Sequence, residues 1–415
     1  MTAWIKIAMR NLAKNWRRSM VTSLAIALGF AAVNLFSGFT EYMYTGNREV
    51  AIFGRCGGHL MIFKKDYLAK GRIDPARYML NPDEIHAIKK ICRKIQQVIL
   101  VSPQLTISGL VSNGKISTIF VAQGITPSEV DRFRSRSSIP EIAKAFEGKR
   151  LHDDKIYGAA VARGLAHMLD LKVGSDAVVF TNTIDGQMNA LDMEVFQLIE
   201  TDSREMNDKV MMVPFKFAQK LYYTEGADRV VLLLDKTEYT IAVRDQLRRH
   251  FSEKGLNIEI RTWKEMSQWY RKIETMFDVI FAFLFTIVFI IIVMSVVNTM
   301  SMSVIERTRE IGTLRALGLK RKGVIWMFAI ESSMLGVFGT IGGLILTLVG
   351  WWSIDVIRPT WIPPNVSIPV PIRIEFVPGT MLYSFFFLLF LCLLASLIPA
   401  RRAAGQNVVD ALGHV

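Results

Sequence analysis

Glu331 is a lone carboxylate two turns into the apolar run 323–354. An acid placed inside a membrane segment has two roles open to it: pairing with a Lys or Arg at the membrane edge, or carrying protons. Its position near the basic edge of the run favours pairing. The other reactive types are scattered. His59, His86, His152, His167, His250 and His414 show no metal-ligand spacing, and neither His-Glu-x-x-His nor paired Cys-x-x-Cys occurs. His152-Asp153-Asp154 reads as solvated surface. No Gly-x-x-x-x-Gly-Lys-Ser/Thr loop is present to cradle nucleotide phosphates, and no nucleophile elbow marks a Ser/His/Asp triad. The chain is therefore not expected to be an enzyme, and no metal or cofactor is expected in it. Cys56 and Cys92 leave open a disulfide or two buried thiols, and Cys392 reads as packing.

The densest pattern is Ser301–Lys322, SMSVIERTREIGTLRALGLKRK, lying between two apolar runs. It carries Arg307, Arg309, Arg315, Lys320, Arg321 and Lys322 against Glu306 and Glu310. Ile305, Ile311, Leu314 and Leu317 fall at helical spacing and predict one apolar face. Gly318 suits the position just past a helix end, with cations following that complement the dipole. A loop that served only to fix orientation would need no such face, so a docking helix at the membrane surface is the better reading.

Four windows exceed the ~20 apolar residues that span a bilayer: 19–40, 279–305, 323–354 and 376–400. The formal net charge of +13 is concentrated where those spans meet one side. Residues 1–18 hold five basic residues and no acid, residues 306–322 six basic and two acidic, and residues 401–415 one net positive charge. With four spans these segments share a side, and the positive-inside rule makes it the cytoplasm. The charge thus argues for topology and not for nucleic acid. The expected layout is an interfacial amphipathic helix over 1–18 and spans at 19–40, 279–300, 323–352 and 378–400. A coupling helix over 301–322, an outer loop at 353–377 and a cytoplasmic tail at 401–415 complete it. The loop is proline-rich and should be extended. The first run is too long for a cleavable signal and reads as an uncleaved anchor.

Residues 3–16 place Trp4, Ile5, Ala8, Leu12 and Trp16 on one face, as in a helix lying in the interface. Residues 41–278 form an outer insertion. The first span's pattern continues past the membrane, and Trp263–Phe277 mirrors it before the second. One helix over Lys264–Ile305 would measure ~60 Å against a core of ~30 Å, so about half of it should stand as a stalk. Between the stalks the pattern is mixed α and β. Asn81-Pro82-Asp83-Glu84 is a helix start, and Ser112-Asn113-Gly114 and Asp185-Gly186 are hairpin turns. Residues 157–176 read as a small helix followed by a turn. Two subdomains are expected, with the inner one at about 115–205. The fold class is thus a membrane α-helical protein of four transmembrane helices with a large α+β extracytoplasmic domain on helical stalks. In the third run, Gly339 and Gly343 form a small-xxx-small pair, and Gly336, Gly343 and Gly350 recur every seven, a surface for close helix packing.

Glu306-Arg307, Glu310-Ile311-Gly312, Arg315-Ala316-Leu317-Gly318 and Glu331 ahead of a glycine-rich span resemble the signature of FtsX-like/MacB-like ABC transporter permeases. The layout of one span, a large outer domain and three spans resembles that family along the whole chain. The outer domain is most similar to lipoprotein-releasing permeases of the LolC/LolE kind, on Gly58-His59-Leu60, Ser102–Gly114 and Gly158–Asp176. The resemblance implies a bacterial inner-membrane permease subunit without catalytic residues, pairing with a second permease, a homodimer or a paralogue. It also implies a separate P-loop ATPase that binds ATP and Mg and docks on residues ~303–318. ATPase closure would then move the outer domains and expel or hand over lipoprotein or another lipophilic or peptide cargo, with membrane lipid and a periplasmic carrier or adaptor as further partners. The alternative is an FtsX-like signalling scaffold that activates an outer partner such as a cell-wall hydrolase.

Overall fold

The computed structural model describes residues 2–71, 73–139, 142, 146–201, 204–361, 370–408 and 411. The chain divides into a helical unit (1–44, 273–360 and 371–415) and an α+β unit (45–272 and 361–370).

Among the described residues four helices are long and apolar enough to cross a membrane: Trp16–Gly54, Gln268–Glu306, Arg321–Ile357 and Pro378–Gly405. They run beyond the windows read from hydropathy because a helix continues past the apolar core wherever packing supports it. The second has 39 residues, or about 58 Å. It does not start at Lys264. The Thr262 side chain caps a separate short turn, Trp263–Met266, and Ser267 breaks the chain before Gln268. In the helical unit the first and second spans meet through rings, with Phe36 stacked on Phe281 and Phe39 edge-on to Phe277.

Small and polar residues add to the apolar core that the spans share. Thr22 and Thr299 share a hydrogen bond of 2.6 Å between the first and second spans. Asn34 donates to Ser384 Oγ at 2.9 Å, between the first and fourth. Ser332 donates to the Cys392 carbonyl at 3.0 Å, between the third and fourth. The glycines serve two partners rather than one face. A Cβ on Gly339 would lie 2.6 Å from Ile26 Cβ, and one on Gly343 2.7 Å from Phe30 Cβ, both on the first span. At Gly336 it would meet Leu389 and Cys392 of the fourth. Gly343→Val is expected to destabilise the helical unit by about 1–3 kcal/mol through overpacking. Gly342→Ala, whose new Cβ meets only Ala27 Cβ at 3.5 Å, should be near neutral. Unfolding of the purified protein in mixed micelles compares them, and equal stabilities would refute this helix contact.

The α+β unit holds β1 (Leu60–Lys64), β2 (Val98–Ser112), β3 (Ser117–Gly124), β4 (Phe146–Gly148) and β5 (Gly158–Ala162). It continues with β6 (Asp176–Asn182), β7 (Met188–Ile199), β8 (Val210–Val213), β9 (Arg229–Leu234) and β10 (Ile258–Thr262). They form one sheet in the order β10-β1-β9-β2-β3-β8-β5-β7-β4, with β6 pairing β2 and β7. Asn81 caps the helix Pro82–Cys92 with a full capping box. That helix and Thr240–Glu253 cover one core on β1, β9 and β10. A second core lies among β2, β3, β5–β8 and the helix Phe215–Tyr222.

The boundary of this second part differs from 115–205. The chain crosses into it inside β2, whose first half pairs with β9 and whose second half pairs with β3. It returns through Phe215–Tyr222. A 15-residue strand shared by two cores leaves no linker for composition to mark. The small helix read within 157–176 is Arg163–Met168, with Leu165 and Ala166 buried, and β5 precedes it where no strand was read. β5 reads GAAVA and is buried at every position, so it shows no alternation. Residues 362–369, most of the proline-rich stretch, lie outside the described residues.

His59 is a buried structural group. Its Nδ1 accepts the Leu234 N–H at 3.0 Å, which places the ring proton on Nε2, 3.2 Å from Thr237 Oγ1. Burial, with Arg48 adding to it, lowers its pKa from 6.5 to about 4. Between those values the unfolded chain binds the extra proton, so stability is full above pH 6.5 and falls as pH drops toward 4. Acidification from pH 7.5 to 5 should cost this unit about 2 kcal/mol, read as a lower amide protection factor in β1, that is, exchange relative to the intrinsic rate at each pH. His59→Gln should flatten that dependence, and an unchanged slope would contradict the assignment. Cys56 and Cys92 are free buried thiols, and burial pushes both up to about 12.

Candidate functional site

The charged stretch between the second and third spans folds as a separate nine-residue helix, Thr308–Ala316. Arg307 breaks the preceding span with φ −114° and ψ 15°. The far end closes as a Schellman turn: the Leu319 N–H reaches the Leu314 carbonyl and the Gly318 N–H the Arg315 carbonyl, both at 3.0 Å. Gly318 sits at φ +99°, a conformation that costs a side chain but not glycine. Leu319 then turns inward onto the bundle core.

The predicted single apolar face is divided. Ile311 is 1% exposed and belongs to the core built by the spans, whereas Leu317 is 81% exposed. Ile305 and Leu314 are exposed as well. The last buried residue of the helix is Gly312, and Leu317 lies at its far end beside the Schellman turn. Arg309, Ala316, Gly318, Lys320, Arg321 and Lys322 are also exposed. The outward surface therefore mixes apolar side chains with basic ones.

The inward side is an ion network. Arg307 Nε donates to Glu310 at 3.0 Å and its Nη1 to Glu331 at 3.3 Å. Ser303 Oγ donates to the other Glu331 oxygen at 3.4 Å. Both the Arg307 and Glu331 side chains are buried, while Glu310 is half exposed. Glu331 thus ties the head of the third span to the short helix and to the end of the second span.

Two further ties close the same end of the bundle. Glu306 pairs with Arg18 at 3.0 Å and accepts from Asn15 at 3.1 Å. Arg315 donates to the Gln406 carbonyl near the end of the fourth span. All three basic segments of the sequence thereby meet. The amino-terminal helix, Thr2–Lys14, buries Ala8 and Leu12, while Ile5 and Trp16 of its predicted face are exposed.

Of the ten residues read as a docking element, the structure turns Arg309, Leu314, Ala316, Leu317 and Gly318 outward. It uses Arg307 and Ile311 to hold the helix, and spends Glu306, Glu310 and Arg315 on ties. Arg18, Asn15 and Ser303 were not singled out by sequence. Only the basic character of residues 1–18 hinted at the first two. Elsewhere, Asp153 caps Ser128, accepting from its N–H at 2.9 Å and its hydroxyl at 2.8 Å. Among the described residues no group of three His, Cys, Asp or Glu is placed to hold a metal ion.

Four membrane-length helices among the described residues, with an α+β unit inserted after the first and a clamped helix between the second and third, define a multi-span membrane-protein architecture. Residues 282–408 match the FtsX-like permease C-terminal domain. It is 24% identical over 277 residues to an uncharacterized ABC transporter permease, MJ1507, of Methanocaldococcus jannaschii, covering 64% of each chain. It is 23% identical over 282 residues to the lipoprotein-releasing system transmembrane protein LolC of Xylella fastidiosa, covering 62% of this chain and 65% of that protein. With the macrolide export ATP-binding/permease protein MacB of Escherichia coli it shares 33% identity over 119 residues, 29% of this chain and 17% of that one. The matches thus span less than two thirds of these relatives' lengths. The periplasmic region of MacB from Actinobacillus actinomycetemcomitans aligns over 52% of this chain and 94% of its own, with a TM-score of 0.35 and 12% identity.

Proposed function

We propose that the chain is the permease subunit of an ABC transporter and that a separate P-loop ATPase docks on the outward side of Thr308–Ala316. The observation that carries this is the two-sided helix inside an FtsX-like permease domain: it is fixed to the bundle through Arg307 and Ile311, yet leaves Leu314, Leu317 and Arg309 bare. A partner that binds the bare side pulls on Arg307, and through Glu331 on the third span. The tie from Glu306 to Arg18 passes the same pull to the first span. In this reading the long helices transmit that motion to the α+β unit on the other side of a bacterial inner membrane, together with a second permease chain. In the same reading the cargo is a lipoprotein or another lipophilic or peptide molecule, a reading that the similarity to the lipoprotein-releasing protein LolC supports.

Purification from native membranes in mild detergent, followed by mass spectrometry, tests the reading. A P-loop ATPase at about one per permease is expected. Recovery of a cell-wall hydrolase without any ATPase would favour the scaffold function instead.

A further inference from the structure

The α+β unit contains a cavity of about 510 Å³, in the range of ligand sites. It is distinct from the clamped helix and lies wholly within residues 50–267. Its floor is the sheet face of β2, β3, β8 and β9. Its walls are the π-helical turn Val50–Gly54, which ends the first long helix, and the turn after β10. Such π turns gather at functional sites.

The lining is apolar and adaptable. Met61, Met206, Met212 and Met266 all face the space, with Trp263 and Val121. Unbranched thioether chains fill irregular volumes and yield to a flexible guest.

Its polar groups are few, and the glutamines are paired with one another or with the backbone, whereas Arg134, Glu200 and Arg229 each keep an unpaired buried atom among the described residues. Gln104 accepts from Gln123 at 2.9 Å and donates to the Cys56 carbonyl at 2.9 Å. One Arg229 nitrogen donates to Thr106 at 2.6 Å, while its buried Nε has no hydrogen-bond partner among the described residues. One Glu200 oxygen is held by Arg163 at 3.0 Å, while its other oxygen, buried, has no such partner. Arg134 has no oxygen acceptor at all among the described residues. Its Nη2 reaches only the Met212 thioether at 3.6 Å, and its buried Nε has no hydrogen-bond partner among the described residues. A guanidinium aimed into an apolar, methionine-lined space lacks the acceptor that would offset its desolvation.

We infer that this cavity binds an amphiphile with one acyl chain and an anionic head, the chain among the methionines and the head on Arg134. The inference rests on the α+β unit alone and holds whether or not an ATPase drives the chain.

The test uses the full-length protein in lipid nanodiscs without any ATPase. The probe is a C16 fatty acid carrying a diazirine near its methyl end, with attachment sites read by mass spectrometry. Labelling is expected on peptides containing Met61, Met206 or Met266. Arg134→Gln should lower that labelling about tenfold, the worth of one charge-assisted contact. It should leave labelling by the matching uncharged C16 alcohol within about twofold. Met212→Trp and, independently, Val121→Trp fill the space and should remove both signals, with amide exchange in β2 confirming a folded sheet. Labelling confined to the membrane spans would overturn the site. Equal labelling of wild type and both tryptophan variants would do the same. An equal loss of acid and alcohol in Arg134→Gln would overturn the anionic head.

Discussion

Arg307→Met is expected to destabilise the helical unit by about 3–5 kcal/mol, because it strands the Glu331 carboxylate in a buried site. Glu331 is 4% exposed and Arg307 10%, so neither charge is relieved by water. Ser303 offers Glu331 one weak contact at 3.4 Å, which does not replace an arginine. The same change also frees Glu310, the acid in the first turn of the short helix. Removing both charges should be far milder. The double variant Arg307→Met with Glu331→Met leaves no orphaned ion, and apolar replacement of a buried pair is often neutral. A double-mutant cycle in mixed micelles reads the coupling directly. Additive effects would show that Arg307 and Glu331 act independently. The double variant also separates stability from function: it should fold, insert and still fail to couple ATP hydrolysis to transport, because the tie from short helix to third span is gone. Transport that survives Glu331→Gln with its ATP dependence intact would exclude a proton-carrying role for this acid.

Leu317→Asp should have the opposite profile. At 81% exposure the residue touches little of its own chain, so stability should stay within about 0.5 kcal/mol of wild type. Association with the ATPase should fall at least thirtyfold, the effect of losing a central apolar anchor. Arg309→Glu, on the same side, should weaken association and change its salt dependence. Ile311→Asp is the contrasting case. It places a charge in the core shared by the spans and should unfold the local structure before any question of docking arises. Titration of detergent-solubilised permease with the purified ATPase measures all three. A Leu317→Asp protein that binds as well as wild type would place the partner elsewhere.

The four spans were legible because each apolar run exceeds the bilayer thickness, and a solvent-exposed alternative for such runs does not exist. The helix start at Asn81 and the turns at Asn113-Gly114 and Asp185-Gly186 were legible because local hydrogen bonding and glycine conformation decide them. β5 was not, since GAAVA has neither the period of a helix nor that of a half-buried strand. Its state follows from pairing with β7 and β8. The role of His59 was equally hidden, because the groups that surround it come from β9 and Thr237, far along the chain.

At the candidate site, residue types were readable and directions were not. A nine-residue helix of mixed charge offers several faces, and only its contacts choose which is buried. Ile311 and Leu317 have similar side chains and opposite surroundings. Glu331 was recognisable as an acid in need of a partner. That the partner is Arg307 depends on the one-residue break between the second span and the short helix, which no composition reveals.

The central claim is that Leu317 faces a partner ATPase while Ile311 faces the bundle. A photo-crosslinking amino acid placed in turn at Leu317 and at Ile311 of the full-length protein in native membranes tests it most directly. The account predicts that Leu317 captures a P-loop ATPase and that Ile311 yields only intramolecular products. Capture from Ile311, or no ATPase from Leu317, would contradict it.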